Sequence, residues 1–384
     1  MISESERLDD PGGLSSLDDS GVVPKPPTAP LGVIRFLRMI RDNEISVFSA
    51  ATFTNKFTEA NILFQRFVVL NDPDFIKHVL VDNHANYSKG RLHLHMLSPV
   101  LGQGLLTSEG DFWRRQRRIS APAFHSSHIA RLGGVIAECG ADAIERWREA
   151  AASGRPMDIL PQMMALTIEI IGKCLFSRDL GKSAADLGEA VSVVIKSFGK
   201  PGPLDLLGLP EWLPRRRDPA ARAAVALLER TIYDLIAARR DGRAKGDDLL
   251  TLLIEARDDS GCGMSDRQLR DEIITLFAAG HETTGLALTW MWYLLSQNPR
   301  VERRLHVELD TVLGGRRPRY DDLNALPYTR MVVEETLRLF PPAFAINRMA
   351  LAEDRIGEHV IRKGTLITIS PYVTHRNPRL WPSP

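Results

Sequence analysis

Seven consecutive residues, Ala278-Ala279-Gly280-His281-Glu282-Thr283-Thr284, set a carboxylate and two hydroxyls into an otherwise apolar run. Ile273, Ile274, Leu276 and Phe277 precede them, and Leu286, Leu288 and Trp290 follow. Burying such groups without partners is costly. They are therefore either satisfied internally or put to use. An acid beside an alcohol can relay protons into an apolar pocket. The alternative is a kinked core helix in which a Thr hydroxyl bonds back to the carbonyl one turn earlier. Gly280 costs about 1 kcal/mol against Ala in a helix interior, and it lets a flat ligand approach the backbone closely.

Further polar spacings lie on either side. Glu335 and Arg338 stand three apart, so on a helix they share a face and can pair. Glu4/Arg7 and Glu145/Arg148 have the same spacing, so position must decide. Only Glu335/Arg338 sits near the end of a Pro-bounded segment, just before Pro341-Pro342. Trp113 and Arg117, four apart, offer a neutral and a cationic donor, a set suited to carboxylates. Trp212/Arg216 repeats that spacing. Arg348, and His375-Arg376-Asn377-Pro378 followed by Trp381, are later polar positions. Each also reads as an ordinary surface or satisfied polar residue.

The elements that must position these residues are mostly helical. Ser265 and Gln268 form a capping box, Asp271 and Glu272 favour the positive end of the dipole, and Asn298-Pro299 is a stop. The helix predicted over 266–297 is about 45 Å long and should cross the core. Further helices are predicted over 111–119, 127–150, 158–177, 184–199, 219–241, 247–256, 300–313 and 327–340, with Pro201, Pro203, Pro210 and Pro214 punctuating a loop. Ile62–Leu70 is an apolar run that ends at Asn71-Asp72-Pro73, a turn that opens a short helix over 74–81. Residues 87–107 show no clear period and read as a long, functional loop. Strand patterns cover 355–361 and 365–370. The fold class is mainly α with a small β component: a single domain over 31–384 behind a disordered leader at 1–30.

Composition sets limits. The 384 residues are 44% hydrophobic and 25% charged, an ordinary globular balance able to bury a sizeable core. A net charge of +1 gives no field calling for nucleic acid. Three scattered cysteines, Cys139, Cys174 and Cys262, argue against a disulfide framework and for a reducing compartment. No Cys/His cluster suggests structural zinc. With no signal peptide pattern and no stretch of membrane-spanning length, the reading is a cytoplasmic protein.

Ala279-Gly280-His281-Glu282-Thr283-Thr284 resembles the oxygen-activation motif in the central helix of the cytochrome P450 family. The other motifs occur in that family's order. The resemblance implies a haem-dependent monooxygenase acting on an apolar organic substrate, with Glu282 and Thr283 as catalytic residues over the haem. It implies that Trp113, Arg117, Arg348 and His375 hold the haem propionates, with Ala279 and Gly280 beside the haem. It places Glu335 and Arg338 in a structural network and Leu105, Leu106, Phe277 and Ala278 in the substrate pocket. Residues 87–107 and 184–240 would shape that pocket. The cofactor is haem b; the partners are dioxygen and a separate ferredoxin or flavoprotein reductase. The spare cations Arg114, Arg115 and Arg118 face either solvent or that redox partner.

The family's iron ligand is a Cys in a Phe-rich loop downstream of the His-Arg-x-Pro run, and no such loop occurs among the 384 residues. The metal ligand is therefore not assigned, and haem retention by this chain alone is expected to be poor. Two other readings stay open: a catalytically inactive remnant or haem-free binding module that keeps the apolar pocket, and a generic helical scaffold.

Overall fold

The computed structural model describes residues 22–29, 31–62, 65–177, 188–190, 193, 219–243 and 246–382. The helix expected over most of 184–199, the Pro-rich loop near 210 and the leader before Val22 lie outside these residues. Part of the leader is ordered: the carbonyl of Pro27 accepts the N–H of Ala50 at 3.0 Å.

The helices are α1 (Val33–Asp42), α2 (Ala50–Thr54), α3 (Pro73–Lys77), α4 (Arg91–Leu101), α5 (Gly110–Ser120), α6 (Ser126–Ala152), α7 (Ile159–Phe176), α8 (Pro219–Arg240), α9 (Leu249–Glu255), α10 (Asp266–Gln297), α11 (Pro299–Leu313), α12 (Pro327–Leu339) and α13 (Pro371–Thr374). The strands are β1 (Phe57–Ile62), β2 (Gln65–Leu70), β3 (Tyr87–Ser88), β4 (Ile346–Ala350), β5 (Asp354–Ile356), β6 (His359–Ile361) and β7 (Leu366–Ile369). Five strands form one sheet in the order β1-β2-β7-β4-β3, with β2 parallel to β7 and the other neighbours antiparallel.

Helix α10 organises the molecule, packing against α7, α8, α4, α11 and α12. Its capping box forms as the sequence predicts, Gln268 N–H donating to Ser265 Oγ and Ser265 N–H to Gln268 Oε1. Two glycines let α7 come close. A Cβ on Gly280 would lie 2.8 Å from Ile171 Cδ1, and one on Gly285 would lie 2.8 Å from Met164 Sδ. In the direction a Gly280 side chain would take, the close approach is made by α7. Helix α7 is long and apolar enough to cross a membrane by length and composition, a match the sequence reading did not credit. Met163, Thr167, Gly172, Cys174, Leu175 and Phe176 are its buried residues, and Ile168 and Ile171 pack on the helical core.

Two expectations change. Residues 91–101 are helix, not loop: Leu97, Val100 and Leu101 pack on the helical core at helical spacing, with Pro99 inside the helix. Residues 355–361 are two strands, because Gly357 at φ 58° turns the chain into the β5–β6 hairpin.

Candidate functional site

On α10, Ala279 and Thr283 are four apart and both exposed, so they share one open face. Thr283 Oγ1 donates to Ala279 O at 2.7 Å, the back-bond anticipated from sequence. Glu282 is half-buried beside it, and Thr284 is exposed. His281 points the other way and is 2% exposed. Neither ring nitrogen has a partner among the described residues. Burial alone lowers its pKa to about 4, so it stays neutral near pH 7.

A cationic group gathers where α5 meets the β3–β4 edge. Pairing of Ser88 with Met349 sets Lys89 beside β4, which carries Arg348. Lys89 Nζ sits 5.6 Å from the Trp113 ring centre. Burial brings Lys89 down to about 8, with Arg348 adding to the fall, and burial also lowers Arg348. Among the described residues, Arg117, Arg348 and Lys89 form no side-chain ion pair; Arg348 bonds only its neighbour's carbonyl, Asn347 O, at 2.8 Å. Lys89 and Arg348 are half-buried with the Glu109 carboxylate acting on both, whereas Arg117 is exposed; a carboxylate-bearing ligand would add a second counter-charge there. The Trp113 indole N–H is directed inward, donating to Leu105 O at 3.1 Å. Lys89 was missed from sequence because a lone Lys after a short strand carries no spacing signal.

The third group closes α12 onto the 375–381 run. Arg338 pairs with Glu335 through two bonds of 2.7 Å and donates to His375 O at 2.8 Å. Its guanidinium lies 5.2 Å from the Trp381 ring centre. Burial lowers the pKa of His375, and its Nδ1 is buried without a partner among the described residues. Trp290 of α10 stacks on Phe340 at 4.1 Å, joining this group to the central helix.

Other expected positions fall differently. Phe277 is buried in the helical core, 3% exposed; Leu105 and Ala278 are half-buried and Leu106 is exposed. The spare cations of α5 are taken up within the chain: Arg114 pairs with Asp111, Arg115 with Asp258, and Arg118 with Asp259. Cys139 and Cys174 are buried. Burial raises both thiols, Cys174 to about 11, so neither is prepared as a thiolate.

The family model for cytochrome P450 matches residues 24–384. The chain belongs to the cytochrome P450 family. It is 39% identical over 318 residues to cyclooctatin synthase of Streptomyces melanosporofaciens, covering 81% of this chain and 67% of that protein. It is 33% identical over 335 residues to protein LUTEIN DEFICIENT 5, chloroplastic, of Arabidopsis thaliana, covering 82% and 55%. It is 33% identical over 313 residues to cyclooctat-9-en-7-ol 5-monooxygenase of Streptomyces melanosporofaciens, covering 81% and 67%. The chain thus spans between 55% and 67% of the lengths of these P450 relatives. Membership implies a haem cofactor, dioxygen, an organic substrate and a redox partner. The chain's own residues fit haem: Arg117 and Arg348, in no side-chain ion pair among the described residues, suit its carboxylates, and the open Ala279–Thr283 face suits its flat ring.

Proposed function

We propose that this protein is a haem-dependent monooxygenase that oxidises an apolar organic substrate with electrons from a separate redox protein. The supporting observation is the Ala279–Thr283 face of α10, where a back-bonded hydroxyl stands exposed next to the half-buried carboxylate of Glu282. Haem supplies the binding and reduction of dioxygen. On this reading Thr283 holds a proton donor at that face and Glu282 resupplies it. Arg117, Arg348 and His375 bind and orient the carboxylates, as donors do in charge-assisted pairs, and Trp113 joins them when its indole N–H leaves the carbonyl of Leu105. Ala279 keeps the face low, whereas Gly280 contributes only backbone there, since its side-chain space is filled by Ile171. Leu105 and Ala278, half-buried, are pocket candidates.

The substrate class follows from the relatives' names, so cyclooctat-9-en-7-ol heads a panel of apolar alcohols and hydrocarbons. The test uses the protein expressed from its whole coding sequence, loaded with haem and supplied with a ferredoxin, its reductase and isotopically labelled dioxygen. The expected result is one labelled oxygen atom in the product and a thiolate-type reduced carbon monoxide spectrum. Thr283→Ala should lower product formed per electron consumed. Absence of the thiolate-type band in that protein overturns the reading.

A further inference from the structure

Asp271 and Glu272 were read from sequence as complements to the helix dipole, yet both are buried, at 4% and 0% exposure. They reach sideways to the segment Gly102–Ser108. Asp271 Oδ2 accepts the N–H of Gln103 at 2.8 Å, and Glu272 Oε2 accepts the N–H of Leu105 at 3.0 Å. The intervening glycines make the approach possible. A Cβ on Gly102 would lie 2.2 Å from the Asp271 carboxylate, and one on Gly104 would lie 2.1 Å from Thr275 Oγ1. The carbonyl side of the segment is held as well: Lys89 Nζ donates to the carbonyls of Leu105, Leu106 and Ser108 at 2.7, 3.1 and 2.8 Å. Gln116 Nε2 of α5 completes the surroundings of Glu272 at 3.4 Å.

We propose that Asp271 and Glu272 are positioning residues that clamp the 102–106 backbone to the central helix and thereby select ligands by size. The reasoning is geometric. Leu105 and Leu106 ride on a turn closed on itself by Thr107 N–H and Ser108 N–H, which donate to Gly104 O at 3.0 and 2.9 Å; those bonds shape the turn, while its distance from Ala278 and Thr283 depends on what ties it to α10. A buried carboxyl oxygen accepting a backbone N–H is a tether, since its loss leaves that donor unsatisfied. Alternate N–H groups, at 103 and 105, meet successive residues of one helix, which fixes both translation and tilt of the segment. The selection claim rests on the monooxygenase reading; the clamp itself does not.

Two readouts on the full-length, haem-loaded protein test it. Hydrogen exchange of peptides covering 102–108 is compared for wild type, Glu272→Leu and Glu272→Gln. Gln keeps an oxygen acceptor for Leu105 N–H, so it should stay near wild type, whereas Leu should exchange about tenfold faster or more, as for a lost buried hydrogen bond. Peptides covering Val68–Leu70 should exchange alike in all three, separating local release from general unfolding. Equal protection in the Leu variant, or loss of protection in the Gln variant, overturns the clamp. The second readout is the relative affinity for imidazole and 4-phenylimidazole in spectral titrations. Glu272→Leu should shift that preference toward the larger ligand and Glu272→Gln should leave it as in the wild type. Faster exchange with an unchanged preference overturns selection by the clamp. A protein in which neither imidazole perturbs the spectrum counts against the monooxygenase reading, while the exchange data still decide the clamp.

Discussion

Arg338 grips Glu335 through two parallel bonds, Nε to Oε2 and Nη2 to Oε1, both 2.7 Å, and spends its remaining nitrogen on the carbonyl of His375 at 2.8 Å. The two partners are unequal: the Arg338 side chain is 7% exposed and that of Glu335 is 51% exposed. The fork therefore anchors α12 to the 375–381 run from the buried side.

That asymmetry sets the direction of two substitutions. Glu335→Gln keeps one oxygen acceptor for Arg338, and water can reach the half-exposed site to meet the other nitrogen, so it should cost about 1 kcal/mol. Arg338→Lys loses the planar fork and strands the His375 carbonyl, and should cost about 2 kcal/mol or more. Urea-unfolding midpoints rank the two variants, and equal losses would contradict the asymmetry.

Asp248 and Arg239 form a more deeply buried pair, with side chains 0% and 6% exposed and 2.7 Å apart. Asp248 also caps α9, its Oδ1 accepting the N–H and hydroxyl of Thr251, both at 2.9 Å. Removing one member of a buried pair leaves an uncompensated charge, at about 3–5 kcal/mol. Asp248→Ala should show that loss in calorimetry. Asp248→Asn keeps the cap and should lose less. An Asp248→Ala/Arg239→Leu double variant should be more stable than Asp248→Ala alone.

The long helices were legible because their signals are local. The capping box at Ser265/Gln268, the Pro299 stop and the Pro327 start mark the ends of α10, α11 and α12. Helix α4 was not legible, since Pro99 and its histidines mask the Leu97, Val100, Leu101 face. Strand β1 was missed because Phe57–Ile62, at the sheet edge, has no alternation strong enough to read without β2. At the site, Thr283 and Glu282 stood out as polar residues in an apolar run. Lys89 and Glu272 did not: their roles depend on β3–β4 pairing and on the approach of the 102–108 segment, contacts that join residues more than 160 positions apart. Gly280 drew attention for a sound reason, a close approach, but the neighbour is Ile171 of α7.

Gly104 is expected to be intolerant of any side chain. An added Cβ would meet Thr275 Oγ1 at 2.1 Å and Asp271 O at 2.7 Å, and the second atom is backbone that cannot rotate away. Gly104→Ala should cost about 3 kcal/mol, the upper end of overpacking. Adding Thr275→Ala should recover only part of it, because the Asp271 carbonyl stays. Full recovery in the double variant would show that the hydroxyl alone sets the limit.

Two buried groups on α10 should give opposing pH dependences. Burial raises Glu272 to about 7 from 4.5, and lowers His281 to about 4 from 6.5. For Glu272 the folded state holds its proton longer, so its contribution is full below pH 4.5 and is lost as pH rises through 7. For His281 the unfolded state binds the proton first, so its contribution is full above pH 6.5 and is lost as pH falls through 4. Each shift corresponds to roughly 3 kcal/mol. Between pH 4.5 and 6.5 the slopes cancel, and these two groups leave wild-type stability nearly flat. His281→Leu should unmask the Glu272 slope, with stability falling from pH 5 to 7. Glu272→Gln should unmask the His281 slope, with stability rising over the same interval. Urea midpoints of the three proteins at pH 5, 6 and 7 decide this; two variants with slopes of the same sign would refute the assignment.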